Sequence, residues 1–218
     1  MSLRVALVDG GGTNIGSVRN ALSRLGVSAE LTADADQILT ADRVLLPGVG
    51  AAGAGMRRLR DAGLVDVLRQ VSAPLLGVCL GMQLLFDRSA EDGGVDCLGL
   101  IAGDVVPIPP GPGVRVPHMG WNTLTHVGSG ADDPVAGAVR AGGRAYFVHS
   151  YAVMPGEHTL VTTDHGGPWA AVVRSGNRWG AQFHPEKSTA VGAALLAAFV
   201  ADLGLGATVE PAGQVASS

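Results

Sequence analysis

The sequence predicts an α/β fold: a central, mostly parallel mixed sheet flanked by helices, with a sharp elbow carrying a nucleophile. Three observations predict it. Short apolar runs alternate with helical spacing through the first half of the chain. A cysteine, Cys79, stands where one such run turns into a helix. Later runs, bounded by Gly and Pro, lead back to a final helix.

The elements follow in order. Arg4 to Val8 is a short apolar run ending at Asp9 and a glycine cluster. Ile15, Val18, Leu22 and Leu25 then recur at helical spacing until Gly26 stops the pattern. Apolar segments follow at Val27 to Leu31 and at Val44 to Leu46, the second running into Pro47-Gly48-Val49-Gly50. A helix is expected from Gly55 to Val71, a buried strand from Pro74 to Val78, and a second helix from Leu80 to Phe86. Strand and helix in alternation argue for parallel pairing with helices on both faces. Beyond Asp87 the runs Val105 to Ile108, Trp121 to Val127, Arg144 to Val153, Thr159 to Thr163, Trp169 to Arg174 and Arg178 to Phe183 read as antiparallel hairpins. A helix from Thr189 to Leu203 closes the pattern. One domain is expected over residues 1–205, and 206–218, small and polar, reads as a disordered tail.

Composition narrows the function. The chain has 218 residues, 47% apolar but only 4% aromatic, so its core is built from Val, Leu and Ala. A net charge of −4 without any Lys/Arg cluster gives no footprint for nucleic acid or an anionic membrane. The N-terminal apolar run is too short for a signal peptide, and no stretch reaches the roughly 18 apolar residues of a membrane span. Two cysteines make no disulfide framework, so the cytoplasm is the expected compartment.

Cys79 lies in Gly77-Val78-Cys79-Leu80-Gly81-Met82-Gln83, between an apolar strand and a helix. This is the strand-turn-helix setting of a nucleophile elbow, with sulfur in place of oxygen. The positive end of the helix dipole favours the thiolate there, and Gly77 and Gly81 remove side chains that would crowd a strained turn. Alone, such a cysteine also has a competing reading as a buried packing residue. Gln182-Phe183-His184-Pro185-Glu186, at the end of the last strand, changes the balance. His184 can take the thiol proton and return one to a leaving amine, while Glu186 holds the second ring nitrogen. Gly48, Val49 and Gly50, together with Leu80, offer backbone N–H groups to a developing oxyanion.

Other patterns lead nowhere comparable. Gly10-x-Gly12-x-x-Ile15 imitates a dinucleotide fingerprint but lacks its third glycine. Cys97, His126, His158 and His165 lack metal-ligand spacing and read as solvated loop positions. His149 either packs beside a strand of the site or simply sits at a strand end.

The combination of Gly77-x-Cys79-x-Gly81-x-Gln83 with His184-Pro185-Glu186 resembles the triad-type, class I glutamine amidotransferases, over nearly the whole chain from Val5 to about Leu203. Within that family, four stretches are similar to the glutaminase subunits of imidazole glycerol phosphate synthases. They are Pro47-Gly48-Val49-Gly50-Ala51, Pro117-His118-Met119-Gly120-Trp121-Asn122, Tyr146-Phe147-Val148-His149-Ser150-Tyr151 and Phe183-His184-Pro185-Glu186-Lys187-Ser188. Asp9-Gly10-Gly11-Gly12-Thr13-Asn14 departs from the family's usual Asp-Tyr-Gly-x-Gly-Asn. The resemblance implies a catalytic triad of Cys79, His184 and Glu186, and an oxyanion hole from Val49, Gly50 and Leu80. It implies that Gly48, Gln83 and the backbone of Ser150 and Tyr151 hold glutamine. Asn14, His118, Met119, Trp121 and Lys187 would face a (β/α)8-barrel cyclase subunit in a heterodimer serving histidine biosynthesis. No metal or organic cofactor is implied.

Overall fold

The computed structural model describes residues 3–9 and 15–201. Strand β1 (Val5–Val8) is buried at all four positions, as a strand covered on both faces must be. Helix α1 (Ile15–Arg24) buries Val18, Ala21 and Leu22, one stripe at helical spacing. It ends where Gly26, at φ 76°, lets the Val27 N–H reach the Leu22 carbonyl at 3.1 Å. Strand β2 (Ala29–Thr32) then precedes a helix absent from the sequence expectations, α2 (Ala35–Leu39). Asp34 caps it, its carboxylate accepting from the Gln37 N–H at 2.9 Å.

Strand β3 (Arg43–Gly48) leads to α3 (Ala52–Asp61) and α4 (Leu64–Gln70). The single helix expected from Gly55 to Val71 is therefore two. The break falls at Gly63, whose left-handed φ of 69° turns the chain after α3. Strand β4 (Leu75–Cys79) passes directly into α5 (Leu80–Leu84). The helix expected to reach Phe86 stops at Leu84, because the Leu85 carbonyl accepts from the N–H groups of Leu100 and Ile101. Phe86 thereby opens β5 (Phe86–Ser89).

The later strands are β6 (Val95–Asp96), β7 (Ile101–Pro107), β8 (His118–Thr123), β9 (Thr125–His126), β10 (Arg144–His149), β11 (Tyr151–Val153), β12 (Thr159–Asp164), β13 (Pro168–Ser175) and β14 (Arg178–Ala181). A 3-10 turn at Pro185–Lys187 introduces the last helix, α6 (Thr189–Val200).

The main sheet runs β2-β1-β3-β4-β14-β13-β12-β9. Its first five strands pair in parallel, and the pairings from β14 to β9 are antiparallel. A mixed, mostly parallel sheet is thus what the chain forms. The run of antiparallel hairpins expected beyond Asp87 needs three corrections. Strand β14 joins β4 in parallel, and β5 pairs β7 in parallel within a second sheet ordered β11-β7-β5-β6. The expected continuous run Arg144 to Val153 also divides at Ser150: β10 pairs with β8, while β11 pairs with β7.

Side chains alternate across the sheet and separate two cores. Val5 and Leu7 of β1 pack with Leu22 of α1, Leu195 and Phe199 of α6, Trp179 and Phe147. Ala6 and Val8 face Met56 and Leu59 of α3, Leu68 of α4 and Met82 of α5. Both layers meet at the carboxyl ends of β3, β4 and β14, where an open α/β sheet keeps its site. Among the described residues no helix is long and apolar enough to cross a membrane. The predicted tail 206–218 lies outside the described residues.

Candidate active site

Cys79 ends β4 with φ 54° and ψ −113°, a left-handed conformation for a residue that carries a side chain. That strain persists because packing enforces it. A Cβ on Gly77 would lie 2.6 Å from the Gly81 carbonyl oxygen and 2.7 Å from the Met82 nitrogen. One on Gly81 would collide with the Leu46 carbonyl oxygen, and one on Gly48 would lie 2.7 Å from the Gly81 nitrogen. Strand β3, the elbow and α5 therefore approach backbone to backbone, and three glycines make the approach possible.

His184 follows β14, the strand beside β4. Its backbone is clamped to β10: the His184 N–H donates to the Tyr146 carbonyl at 2.9 Å, and the Ser188 hydroxyl donates to the His184 carbonyl at 2.6 Å. The same Ser188 oxygen accepts from the Tyr146 N–H at 3.0 Å. The ring is thereby placed beside Cys79, whose sulfur favours its protonated form, on one side. On the other, its Nδ1 lies 2.8 Å from Glu186 Oε1, both side chains being almost wholly buried.

Burial alone would push the imidazole toward its neutral form. The hydrogen bonds and charges of Cys79 and Glu186 outweigh it and raise the His184 pKa to about 9. At neutral pH the ring thus holds a proton between sulfur and carboxylate.

Gly48 pairs in register with Cys79, so the loop after β3 sits beside the nucleophile. A small cleft lined by Pro47, Gly48, Val49, Val78 and His184 lies under Ile15 and Val18 of α1. Gly50 has φ 93°, open only to glycine without strain. Leu80 is the first residue of α5, where backbone N–H groups lack intrahelical partners.

Gln83, on α5, is buried, and its Nε2 donates to the Tyr151 carbonyl at 2.8 Å and to Gln182 Oε1 at 3.0 Å. Both amide hydrogens are then used, which leaves its oxygen as an acceptor. Gln182 in turn directs its Nε2 at Cys79 Sγ, 4.0 Å away. No expectation from the sequence attaches to Gln182. Its signal was a polar residue two positions before His184, hence on the same face of an extended, otherwise apolar stretch. Ser150 is half-buried at the junction of β10 and β11, and its carbonyl accepts from the Ile108 N–H at 2.9 Å.

Of the residues expected at a partner face, Met119 and Trp121 are exposed, at 66% and 42%. Lys187 is exposed as well, with its Nζ 5.9 Å from the centre of the Tyr146 ring. His118 differs: strand alternation turns it inward, and only 3% of it is accessible. Asn14 and the glycine cluster before it lie outside the described residues.

Cys97, expected on a solvated loop, is buried in the core beneath α3 and α4. There, desolvation pushes its thiol up to about 11. His165, expected likewise, stacks on His118 at 4.0 Å. Among the described residues no group of three His, Cys, Asp or Glu could hold a metal ion.

Residues 6–203 match the family described as glutamine amidotransferase class-I. The chain is 51% identical over 196 residues to imidazole glycerol phosphate synthase subunit HisH of Xanthomonas campestris pv. campestris, covering 90% of this chain and 96% of that protein. It is 50% identical over the same shares to the subunit of that name from Xylella fastidiosa strain Temecula1. A crystal structure titled glutamine amidotransferase superposes with a TM-score of 0.67 at 21% identity, over 89% of this chain and 98% of that one, a likeness of fold. The chain therefore belongs to the class-I glutamine amidotransferase family and, within it, to the HisH group.

Proposed function

We propose that this chain is the glutaminase subunit of an imidazole glycerol phosphate synthase, hydrolysing glutamine through a Cys79 thioester and passing ammonia to a cyclase subunit. The observation that carries the chemistry is the buried line from Cys79 through His184 to Glu186 at the head of a strained elbow. The relatives' names supply the acceptor reaction.

The Cys79 sulfur attacks the side-chain carboxamide carbon of glutamine, and the carbonyl oxygen gains charge against the N–H groups of Leu80 and of Val49 or Gly50. His184, holding its proton to about pH 9, delivers it to the departing ammonia. Once sulfur is acylated it no longer raises the affinity of the ring for a proton. Burial then opposes Glu186 alone, and the imidazole becomes a base for the water that cleaves the thioester. One residue serves as acid and then base because its strongest proton-holding partner is consumed between the two steps.

Gly48, Gln83 and the backbone at Ser150 and Tyr151 hold the substrate, with the Gln83 oxygen available to its ammonium group. Ammonia released to water becomes ammonium and loses its nucleophilic lone pair, so it must travel sheltered. A (β/α)8-barrel cyclase seated on Met119, Trp121 and Lys187, with His118 beneath them, supplies the route in a cytoplasmic heterodimer, and the family resemblance adds Asn14 to the residues that face it.

The test is glutamate release by the wild type and by Cys79→Ala, with and without the cyclase and its ribonucleotide. Release that needs both the partner and Cys79 supports the reading. Strong activity of the isolated chain would make it a free hydrolase, and no activity under any condition would make it a non-catalytic module. Stimulation by a different synthase alone would move the acceptor.

A further inference from the structure

Strand β8 and the nucleophile are joined by a series of polar contacts, through four side chains, the Tyr151 backbone carbonyl and Gln182, that the triad chemistry does not use. Asn122 Nδ2 lies 3.1 Å from His118 Nε2, and His118 Nδ1 lies 3.1 Å from His149 Nε2. His149 Nδ1 lies 2.8 Å from the Tyr151 carbonyl, the same oxygen that accepts from Gln83. Gln83 meets Gln182, and Gln182 meets Cys79 Sγ.

One acceptor sets the direction of every link. A carbonyl oxygen can only accept, so His149 carries its proton on Nδ1 and offers a lone pair at Nε2. His118 must then donate from Nδ1, which leaves its own Nε2 to accept from the Asn122 amide. Asn122 spends an amide hydrogen on the Asp164 carbonyl as well, at 2.6 Å. By the same logic Gln83 donates to Gln182, whose oxygen accepts and whose nitrogen faces sulfur. A proton on either bare nitrogen would set two donors against each other, so the series holds together only with both histidines neutral.

The surroundings keep them so. His118 is sandwiched between Phe147 at 4.7 Å and His165 at 4.0 Å, and His149 is 7% exposed. Burial first, then the neighbouring histidines His149 and His165, lowers His118 to about 3. Burial, opposed by the Tyr151 carbonyl and aided by His165 and His184, lowers His149 to about 4.

We infer that His118 and His149 are positioning residues for the glutamine site: they fix the Tyr151 carbonyl, and through it the side chains of Gln83 and Gln182 beside Cys79. This deepens the glutaminase reading and rests on it. Neither histidine touches substrate in this assignment. Their effect is on the orientation of groups that do, so it falls on glutamine binding before it falls on turnover.

Two measurements test it. Long-range proton–nitrogen correlation spectra of the wild-type chain at neutral pH should show His118 and His149 both protonated on Nδ1 and bare on Nε2, the tautomer that free histidine disfavours. A proton on Nε2 of either ring overturns the inference without reference to activity.

In the complex with the cyclase, His149→Phe keeps a ring and removes both bonds. It should raise KM for glutamine roughly tenfold, the effect of about one hydrogen bond, with a smaller change in kcat. His118→Phe should act in the same direction, and the double variant should be no worse than His149→Phe, because both break one series. An unchanged KM in an active complex, or additive losses, overturns the inference. A wild-type complex that releases no glutamate overturns the glutaminase reading itself, and this assignment with it.

Discussion

Replacing Glu186 by Gln keeps the shape of the triad and removes one charge, which isolates what that charge does. The carboxylate lies 2.8 Å from His184 Nδ1 with both side chains nearly inaccessible, so solvent screens little of the interaction. A charge-assisted hydrogen bond is about twice as strong as a neutral one, a difference of about 1.4 kcal/mol. That amounts to about one pH unit in proton affinity. The His184 pKa, about 9 in the wild type, should then fall by about one unit in Glu186→Gln. The same loss, felt by the imidazolium that forms as the ring takes a proton from water, should slow the thioester-hydrolysis step, and kcat with it, about tenfold. Glu186→Ala should cost more, since it leaves a buried N–H without its acceptor. Steady-state glutamate release across pH, in the presence of the cyclase, reads both effects. A Glu186→Gln enzyme as active as the wild type would refute the reasoning, and so would one as inactive as Cys79→Ala, which would give Glu186 a proton-transfer role of its own.

Further outcomes follow from the same geometry. Gly81→Ala should destabilise the chain by about 1–3 kcal/mol, because the new methyl meets the Leu46 carbonyl rather than a movable side chain; thermal unfolding against the wild type measures it. Stability should be greatest near pH 6.5. Below it the unfolded chain takes up protons that buried His118 and His149 refuse down to about 3 and 4, so stability falls with falling pH, by up to about 2.7 kcal/mol per unit when both count. Above it the folded chain retains the His184 proton that the unfolded chain has lost, so that contribution fades as pH rises through about 9; urea midpoints from pH 4 to 9 trace both limbs. Trp121→Ala, on a residue 42% exposed, should leave the isolated chain's Tm almost unchanged and weaken cyclase binding at least fivefold by calorimetry.

Much of this architecture is legible in the sequence because its constraints are local. The elbow announces itself through glycines two residues either side of Cys79, and the structure shows what each avoids: the backbone of α5 for Gly77, the Leu46 carbonyl for Gly81. His184 and Glu186 are two residues apart, and a single turn, Pro185–Lys187, brings their side chains together. What escaped depended on distant partners or on signals weaker than the apolar period. Helix α2 is five residues long and buries only Ile38, so its one sign is the Asp34 cap with Gln37 three residues on. Nothing near Phe86 shows that it leaves a helix for a strand parallel to β7, since the groups that stop the helix come from Leu100 and Ile101. Gln182 and His149 gain meaning only when β4, β10, β11 and β14 are assembled, because the partners of each are remote in sequence or on another strand.

The proposed chemistry requires the sulfur of Cys79 and the imidazole of His184 to share a proton. Titration of the His184 ring by nitrogen NMR, in the wild-type chain and in Cys79→Ala, reads that sharing. A midpoint near 9 is expected in the wild type and a marked fall in the variant, where burial opposes Glu186 alone. A wild-type midpoint at or below the ordinary 6.5, or one that Cys79→Ala leaves in place, would contradict it.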